Sequence, residues 1–262
     1  MPETSHPFEL CGRDVWVIGG AGYLGQPVVM QLAALGGRVL CADLGDRAAA
    51  VVAENSLGES VAPASLDVRD SAAVGAFATE QIAARGVPHG LVLMTYGSTA
   101  KRLEELSEAD FDAVNHGNLT STFLITRAVG EAMAARGSGS IVLFSSMYGT
   151  VSPDPRVYEA PMNPNPIEYG VGKAGIQQMA RYLAVHWGPR GVRVNSISPG
   201  PFPNPEIQRL NPAFIERLAQ KSPLARIGQP DEIAGAVAFL LGDAASYVTG
   251  HDLAVDGGWK AW

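Results

Sequence analysis

Short apolar runs alternate with longer amphipathic segments along almost the whole of this 262-residue chain. The short runs are nearly continuous in apolar residues, which is typical of strands covered on both faces of a parallel sheet. The longer segments have the apolar spacing of helices. The predicted strands cover residues 14–18, 38–42, 61–66, 90–94, 140–144, 192–197 and 252–255, and the predicted helices cover 24–35, 71–84, 108–135, 167–187 and 231–241. This order predicts an α/β fold with a doubly wound parallel sheet of about seven strands, which binds ligands at the carboxyl ends of its strands.

The sequence predicts a single domain over residues 1–262, because no repeat, low-complexity tract or linker divides it and its length is ordinary for one α/β unit. Residues 148–168 include a proline-rich stretch that can form neither a helix nor a central strand. We expect it to form a stiff loop on the substrate side, although an insertion that makes an oligomer contact fits the same residues. Residues 200–228 are predicted to cover the substrate as a lid.

The composition argues against several classes of protein. Apolar residues make up 47% and charged residues 17%, which does not suit a disordered chain. The formal net charge of -7, without a cluster of Lys and Arg, argues against a nucleic-acid partner. No apolar run approaches the length of a membrane helix, and residues 1–10 lack the pattern of a signal peptide. We therefore expect a cytoplasmic protein whose partner is a small-molecule substrate.

The cysteines and histidines predict neither a disulfide nor a metal site. Cys11 and Cys41 are too few for a disulfide framework and are expected to be free thiols. The five histidines show no spacing typical of metal ligands.

A glycine-rich turn follows the first predicted strand and opens the first predicted helix. Gly19, Gly22 and Gly25 have the spacing GxxGxxG. Glycine lets the backbone turn sharply and approach a phosphate, which the positive end of the helix then binds. In this context the turn predicts a Rossmann-like dinucleotide site, bordered by Tyr23 and Leu24. A tight turn without a ligand is the alternative.

An acidic residue ends the second predicted strand. Asp43 lies 18 positions after Gly25, where a dinucleotide fold places a carboxylate on the ribose hydroxyls of the adenosine. Such a carboxylate repels a 2′-phosphate, so the sequence favours NAD over NADP. Leu44 follows Asp43 and is expected to border the adenosine, whereas Arg47 is the nearest residue that would favour NADP.

Tyr169 and Lys173 are four residues apart, so on a helix they lie one turn apart on the same face. A free phenol has a pKa of about 10, too high for a base at neutral pH. A lysine ammonium about 4 Å away favours the phenolate by roughly 4 kcal/mol at an effective dielectric constant of about 20. The pair therefore predicts a phenol whose pKa is lowered for proton transfer.

These motifs resemble those of the short-chain dehydrogenase/reductase family in its single-domain form. The resemblance covers nearly the whole chain and is strongest over residues 169–201. The YxxxK pattern, the segment GVRVNSISPG at 191–200 and the closing segment YVTGHDLAVDGGW at 247–259 occur in the family's order. The resemblance implies a Rossmann-like oxidoreductase that uses a nicotinamide cofactor.

The resemblance assigns a catalytic set of four residues. It implies that Tyr169 is the general acid/base, that Lys173 lowers the pKa of Tyr169 and binds the nicotinamide ribose, and that Ser146 bonds the substrate oxygen. Asn118, in the pattern NLxxxF, would hold a water in the proton relay.

The resemblance also extends the cofactor site beyond the glycine turn and Asp43. Asp67 and Val68 would border the adenine, and Pro199, Gly200 and Phe202 would border the nicotinamide. The family is commonly tetrameric or dimeric through its two long helices, so a homo-oligomer is expected.

The sequence departs from the family pattern in four places, the first of which is Ile18 before Gly19, where threonine is usual. Tyr23 stands where single-domain members usually have glycine, and residues 94–97 read MTYG where NNAG is usual. Ser146 and Tyr169 are 23 positions apart, a longer spacing than usual, and the proline-rich loop accounts for the difference.

Three functions therefore stay open. The first is an NAD-dependent oxidoreductase that moves a hydride between nicotinamide and an alcohol or ketone, with a hydroxylated, sugar-like substrate suggested by the polar loop. A non-catalytic NAD-binding protein is the second. The third, suggested by GxxGxxG, is an enzyme that resembles sugar-nucleotide epimerases or dehydratases.

Overall fold

The computed structural model describes residues 6–262, so half of the segment 1–10, for which no signal peptide is predicted, lies outside the described residues. Within residues 6–262, seven strands form one sheet. They are β1 (Asp14–Ile18), β2 (Arg38–Asp43), β3 (Val61–Ser65), β4 (Gly90–Leu93), β5 (Gly139–Phe144), β6 (Val192–Pro199) and β7 (Asp252–Val255). Their order is β3-β2-β1-β4-β5-β6-β7, and all neighbours are parallel. The predicted fold class is confirmed.

Helices cover both faces of this sheet. In the part of the chain that the structure describes, they are α1 (Gly25–Ala34), α2 (Arg47–Glu54), α3 (Ser71–Arg85), α4 (Glu108–Asn115), α5 (Ser121–Arg136), α6 (Ile167–Trp187), α7 (Pro205–Leu210), α8 (Pro212–Lys221) and α9 (Pro230–Leu241).

The apolar strands supply two cores because successive side chains point to opposite faces of the sheet. Trp16 and Ile18 of β1 lie in the cluster that includes α3, α5 and α6. Val15 and Val17 of the same strand lie in the cluster that includes α1 and α9. Both faces of β1 are therefore buried, which explains its continuous apolar sequence.

The elements that the sequence pattern missed are short or interrupted. The predicted helix 108–135 is broken by a π-helical turn over His116–Thr120. The helices α2, α7 and α8 were not predicted, and the last two lie in the predicted lid. Pro63 lies inside β3, which is tolerated because β3 is at the edge of the sheet.

The order of the strands creates a crevice. The chain adds β2 and β3 on one side of β1 and then crosses to add β4 on the other side. Ligands of open α/β sheets bind at such a switch point, outside the carboxyl ends of the strands. The glycine turn follows β1, and a segment without regular secondary structure, residues 94–102, follows β4. No helix among residues 6–262 is both long enough and apolar enough to cross a membrane.

Candidate active site

Close packing explains two of the three glycines in the turn. Gly19 has a φ of +85°, a conformation that favours glycine, and a Cβ there would lie 3.0 Å from the carbonyl carbon of Met94. A Cβ on Gly25 would lie 2.5 Å from the carbonyl oxygen of Gly19. At Gly22 the nearest atom to a Cβ would be that same oxygen, at 3.4 Å. The protein itself therefore requires Gly19 and Gly25, whereas the space at Gly22 suits the close approach of a ligand.

The other two residues of the turn contact protein neighbours. Leu24 is partly buried against the cluster around α1 and α9. Partial burial raises the pKa of Tyr23, and the nearby side chain of Gln208 of α7 opposes part of this effect. Tyr23 of the glycine turn thus lies close to the predicted lid.

Asp43 is a structural part of the turn as well as a candidate ribose ligand. Its carboxylate is buried at the carboxyl end of β2 and accepts hydrogen bonds from the N–H of Ala21 at 3.0 Å and of Leu44 at 2.8 Å. Arg47 donates to the same carboxylate at 2.9 Å from the first turn of α2. Half of the Leu44 side chain is exposed beside it. Asp43 therefore holds the glycine turn against β2.

Asp67 and Val68, which follow β3, form hydrogen bonds with other residues of the protein. Arg69 donates two hydrogen bonds to Asp67, at 2.9 and 2.7 Å, and these bonds lower the pKa of Asp67 to about 2. The carbonyl of Val68 accepts a hydrogen bond from the hydroxyl of Ser121. Asp67 and Val68 follow the strand next to β2, on the Asp43 side of the crevice.

The crevice has the features that a nicotinamide dinucleotide requires. The turn leaves room at Gly22, helix α1 begins at Gly25, and a buried carboxylate ends the neighbouring strand. These are the phosphate and ribose sites of a dinucleotide fold. The residues present therefore fit the cofactor, and Asp43, the turn and α1 would hold it.

Three predicted catalytic residues meet at the carboxyl end of β5. Ser146 follows that strand, while Tyr169 and Lys173 lie one turn apart on α6. Lys173 Nζ is 5.7 Å from the centre of the Tyr169 ring. The hydroxyl of Ser146 lies near that of Tyr169 and opposes part of the effect of burial on the pKa of Tyr169. The two hydroxyls therefore can bind one substrate oxygen between them.

The predicted acidification of the phenol is not what the structure shows. The pKa of Tyr169 is raised, because burial disfavours the phenolate more strongly than Ser146 stabilises it. The ammonium of Lys173 donates instead to the carbonyl of Phe144 at 2.8 Å and to that of Thr95 at 3.5 Å. Burial lowers the pKa of Lys173 itself to about 8. In this state the phenol is a proton donor, which suits the reduction of a carbonyl.

Asn118 fixes the segment that follows β4. Its side chain is buried in the π-helical turn, and its amide accepts from the N–H of Gly97 at 2.7 Å and donates to the carbonyl of Gly97 at 2.9 Å. Such turns are frequent at functional sites because they redirect one side chain. This two-bond clamp positions the backbone beside Lys173.

The residues after β6 that are predicted to border the nicotinamide also pack closely against other parts of the protein. Pro199 ends that strand. A Cβ on Gly200 would lie 2.5 Å from the Cα of Asp256, and a Cβ on Gly228 would lie 2.3 Å from the ring of Phe202. Gly200 and Phe202 therefore hold the closing segment and the lid on the sheet.

Sequence reasoning missed Glu168, which precedes Tyr169. Its side chain is fully buried, and Oε1 accepts from the N–H of Thr99 at 3.1 Å and from its hydroxyl at 2.8 Å. Its other oxygen has no partner among the described residues. The carbonyl of Thr95 likewise accepts a hydrogen bond from Lys173, and the N–H of Gly97 donates one to Asn118. Side chains of other elements therefore hold alternate residues of the segment that follows β4. No sequence signal identifies Glu168, because only the fold brings it to Thr99.

The proline-rich loop lies next to Tyr169. A third apolar cluster joins the loop, α8 and the C-terminal segment, with Tyr169 at its margin. Tyr148 and Tyr158 lie in this cluster, and their hydroxyls are 2.7 Å apart. Asn163 of the loop donates to the carbonyl of Ala100, at 3.1 Å. The loop therefore forms one wall of the site.

Comparison with known proteins agrees with this geometry. Residues 20–260 match the model of a family described as enoyl-(acyl carrier protein) reductase. The chain is 36% identical to galactitol 2-dehydrogenase (L-tagatose-forming) of Cereibacter sphaeroides, over 97% of this chain and 98% of that protein. A gluconate 5-dehydrogenase from Burkholderia cenocepacia, solved with NADP and tartrate, superposes with a TM-score of 0.87 at 28% identity over 98% of both chains.

A short-chain dehydrogenase from Leptospira borgpetersenii with bound NAD+ superposes with a TM-score of 0.82 at 29% identity, over 96% of this chain and 94% of that chain. Similar structures thus hold either nicotinamide cofactor. The sheet, the glycine turn, the Tyr169–Lys173 pair and these matches lead to one conclusion. The chain belongs to the short-chain dehydrogenase/reductase family and is an oxidoreductase that acts on CH–OH groups.

Proposed function

We propose that this protein transfers a hydride between NAD(H) and a secondary alcohol or ketone, with Tyr169 as the general acid/base. The observation that carries the proposal is the meeting of Tyr169, Ser146 and Lys173 at the carboxyl ends of β4 and β5, beside the glycine-lined crevice. When bound, the nicotinamide supplies or accepts the hydride.

The protein residues position the substrate and move its proton. The hydroxyl of Ser146 and the phenol of Tyr169 bind the reacting oxygen. Tyr169 gives a proton to that oxygen during reduction and takes it back during oxidation. Lys173, at 5.7 Å from the ring, would favour the phenolate during oxidation and bind the nicotinamide ribose. Asn118 holds the segment that follows β4 in place beside Lys173.

We propose NAD as the preferred cofactor. The buried carboxylate of Asp43 lies where the adenosine ribose of a dinucleotide binds, and a second negative charge there is unfavourable. The opposing feature is Arg47, whose side chain is more than half exposed and already neutralises part of that charge. The preference therefore depends on Asp43.

We propose a polyhydroxylated substrate, such as a sugar alcohol or sugar acid. The wall formed by the proline-rich loop brings two phenols near Tyr169, and a few convergent polar groups in an apolar pocket are typical of such recognition. The galactitol and gluconate dehydrogenases among the relatives point the same way.

The location and assembly are also proposals. We infer a cytoplasmic homo-oligomer, dimeric or tetrameric, that has neither a nucleic acid nor a membrane as its partner. Support comes from the acidic net charge of -7 and from exposed Phe123 on α5 with Tyr182 and Val185 on α6. Apolar residues exposed on neighbouring helices suit a symmetric interface.

Replacement of the catalytic phenol tests the proposal. Tyr169→Phe should lower kcat for alcohol oxidation by about a hundred- to ten-thousand-fold and leave NAD affinity nearly unchanged, because the ring remains. Reduction of NAD by a panel of polyols, sugar acids and simple alcohols is followed by absorbance, and binding by titration. Tyr247→Phe, which alters a fully exposed phenol, is the matched control. Full activity of Tyr169→Phe would refute the mechanism.

A further inference from the structure

The proline-rich loop is fixed to α8 by several independent contacts. Arg217 of α8 pairs with Glu159 at 3.0 Å and donates to the carbonyl of Val157 at 2.7 Å. The ring of Tyr158 packs on Phe214, with centres 5.4 Å apart. A loop held in this way presents its side chains in one geometry, which specific recognition requires.

Two phenols of this loop form a pair beside the catalytic residues. The hydroxyl of Tyr158 is 2.7 Å from that of Tyr148. The N–H of Tyr148 donates to the hydroxyl oxygen of Ser146 at 3.1 Å, so the pair is linked to the residue that binds the substrate oxygen. Tyr158 also lies near enough to Tyr169 for a charge on Tyr158 to raise the pKa of Tyr169.

The pair retains hydrogen-bonding capacity. Two phenols have two O–H groups, and their mutual contact uses one of them. Tyr148 is buried, whereas Tyr158 is half-buried and comes from the loop that extends the usual family spacing. Groups of Asn165 also reach the Tyr158 oxygen. When Tyr148 is the donor within the pair, the O–H of Tyr158 is therefore the group left for a substrate.

We propose that Tyr158, supported by Tyr148, is a specificity-determining residue that binds a second substrate hydroxyl, on the carbon next to the one that is oxidised. This inference rests on the proposed function and deepens it. A substrate oxygen held by Ser146 and Tyr169 places a hydroxyl of the adjacent carbon toward the phenol pair. A simple alcohol leaves that pair without a partner, and sites built to bond a hydroxyl discriminate against analogues that lack it.

Two alcohols that differ by one hydroxyl test this inference. The ratio of kcat/KM for butane-2,3-diol to that for 2-butanol is measured in the wild type and in Tyr158→Phe, which keeps the ring against Phe214. We expect the wild type to favour the diol and the variant to lose about fivefold in the ratio, since one hydrogen bond contributes about 1 kcal/mol. The value of kcat/KM for 2-butanol should change less than about twofold.

Tyr247→Phe is the control, because it removes a fully exposed phenol that lies outside the proposed site and interface. Thermal melting of the variant confirms that the loop stays folded. An unchanged ratio in Tyr158→Phe, an equal loss for both alcohols, or a wild type without preference for the diol would overturn the inference. Absence of nicotinamide-dependent turnover of any alcohol by the wild type would instead refute the proposed function.

Discussion

Replacement of Asp43 tests the cofactor site, because its carboxylate holds the glycine turn and is also proposed to bind the ribose of NAD. A carboxylate has about four acceptor positions, and the N–H groups of Ala21 and Leu44 together with Arg47 occupy three of them. Two ribose hydroxyls need two acceptors, so the exposed Arg47 must move or share its oxygen when NAD binds. The replacement Asp43→Asn keeps the shape but removes the charge and one acceptor oxygen.

The magnitude follows from these contacts. Loss of one hydrogen bond from ribose to a charged group costs about 1.5–3 kcal/mol, so the Kd for NAD should rise about 10- to 100-fold. The Kd for NADP should fall or stay constant, because the repulsion of a 2′-phosphate is relieved. The amide nitrogen would also face a buried N–H, so the free energy of unfolding should decrease by about 1–3 kcal/mol.

Titration of both cofactors by quenching of protein fluorescence measures the two dissociation constants, and urea unfolding measures stability. Asp46→Asn is the matched control, since Asp46 is exposed and caps no N–H at the start of α2. A Kd for NAD within twofold of wild type, with an unchanged NAD-to-NADP ratio, would refute the placement of the ribose on Asp43.

Two further predictions concern the turn and the buried lysine. Gly25→Ala should destabilise the protein by about 1–3 kcal/mol, because its Cβ would lie 2.5 Å from the Gly19 oxygen. Gly22→Ala should leave the melting temperature nearly unchanged and weaken NAD binding; equal melting temperatures of the two variants would contradict the packing argument. Burial lowers the pKa of Lys173 from 10.5 to about 8. As the pH rises, the folded protein therefore loses the Lys173 proton before the unfolded protein does. The free energy of unfolding of the wild type should thus rise relative to that of Lys173→Met as the pH increases from about 8 to 10.5. The full change is on the order of 3 kcal/mol, and urea unfolding at pH 7.5 and 10 measures it; identical pH dependence of both proteins would contradict the lowered pKa of Lys173.

The pattern of residues was sufficient for the fold class and for the positions of the glycine turn and the Tyr169–Lys173 pair. Strands buried on both faces, such as β1, must be continuously apolar, and this local property is visible without coordinates. The glycine turn and the Tyr169–Lys173 pair were predictable for the same reason, since each depends on the geometry of one turn or one helix. The short helices α2, α7 and α8 were missed because tertiary contacts stabilise short helices more than their own sequence does.

Tertiary structure alone decided the electrostatics and the substrate wall. The sequence predicts that Lys173 lowers the pKa of Tyr169, but burial reverses the direction and carbonyls from β5 and the segment after β4 take the ammonium. Glu168 likewise gains its partner Thr99 from a distant segment. Spacing along a helix fixes which side chains share a face, whereas desolvation depends on everything that packs against them.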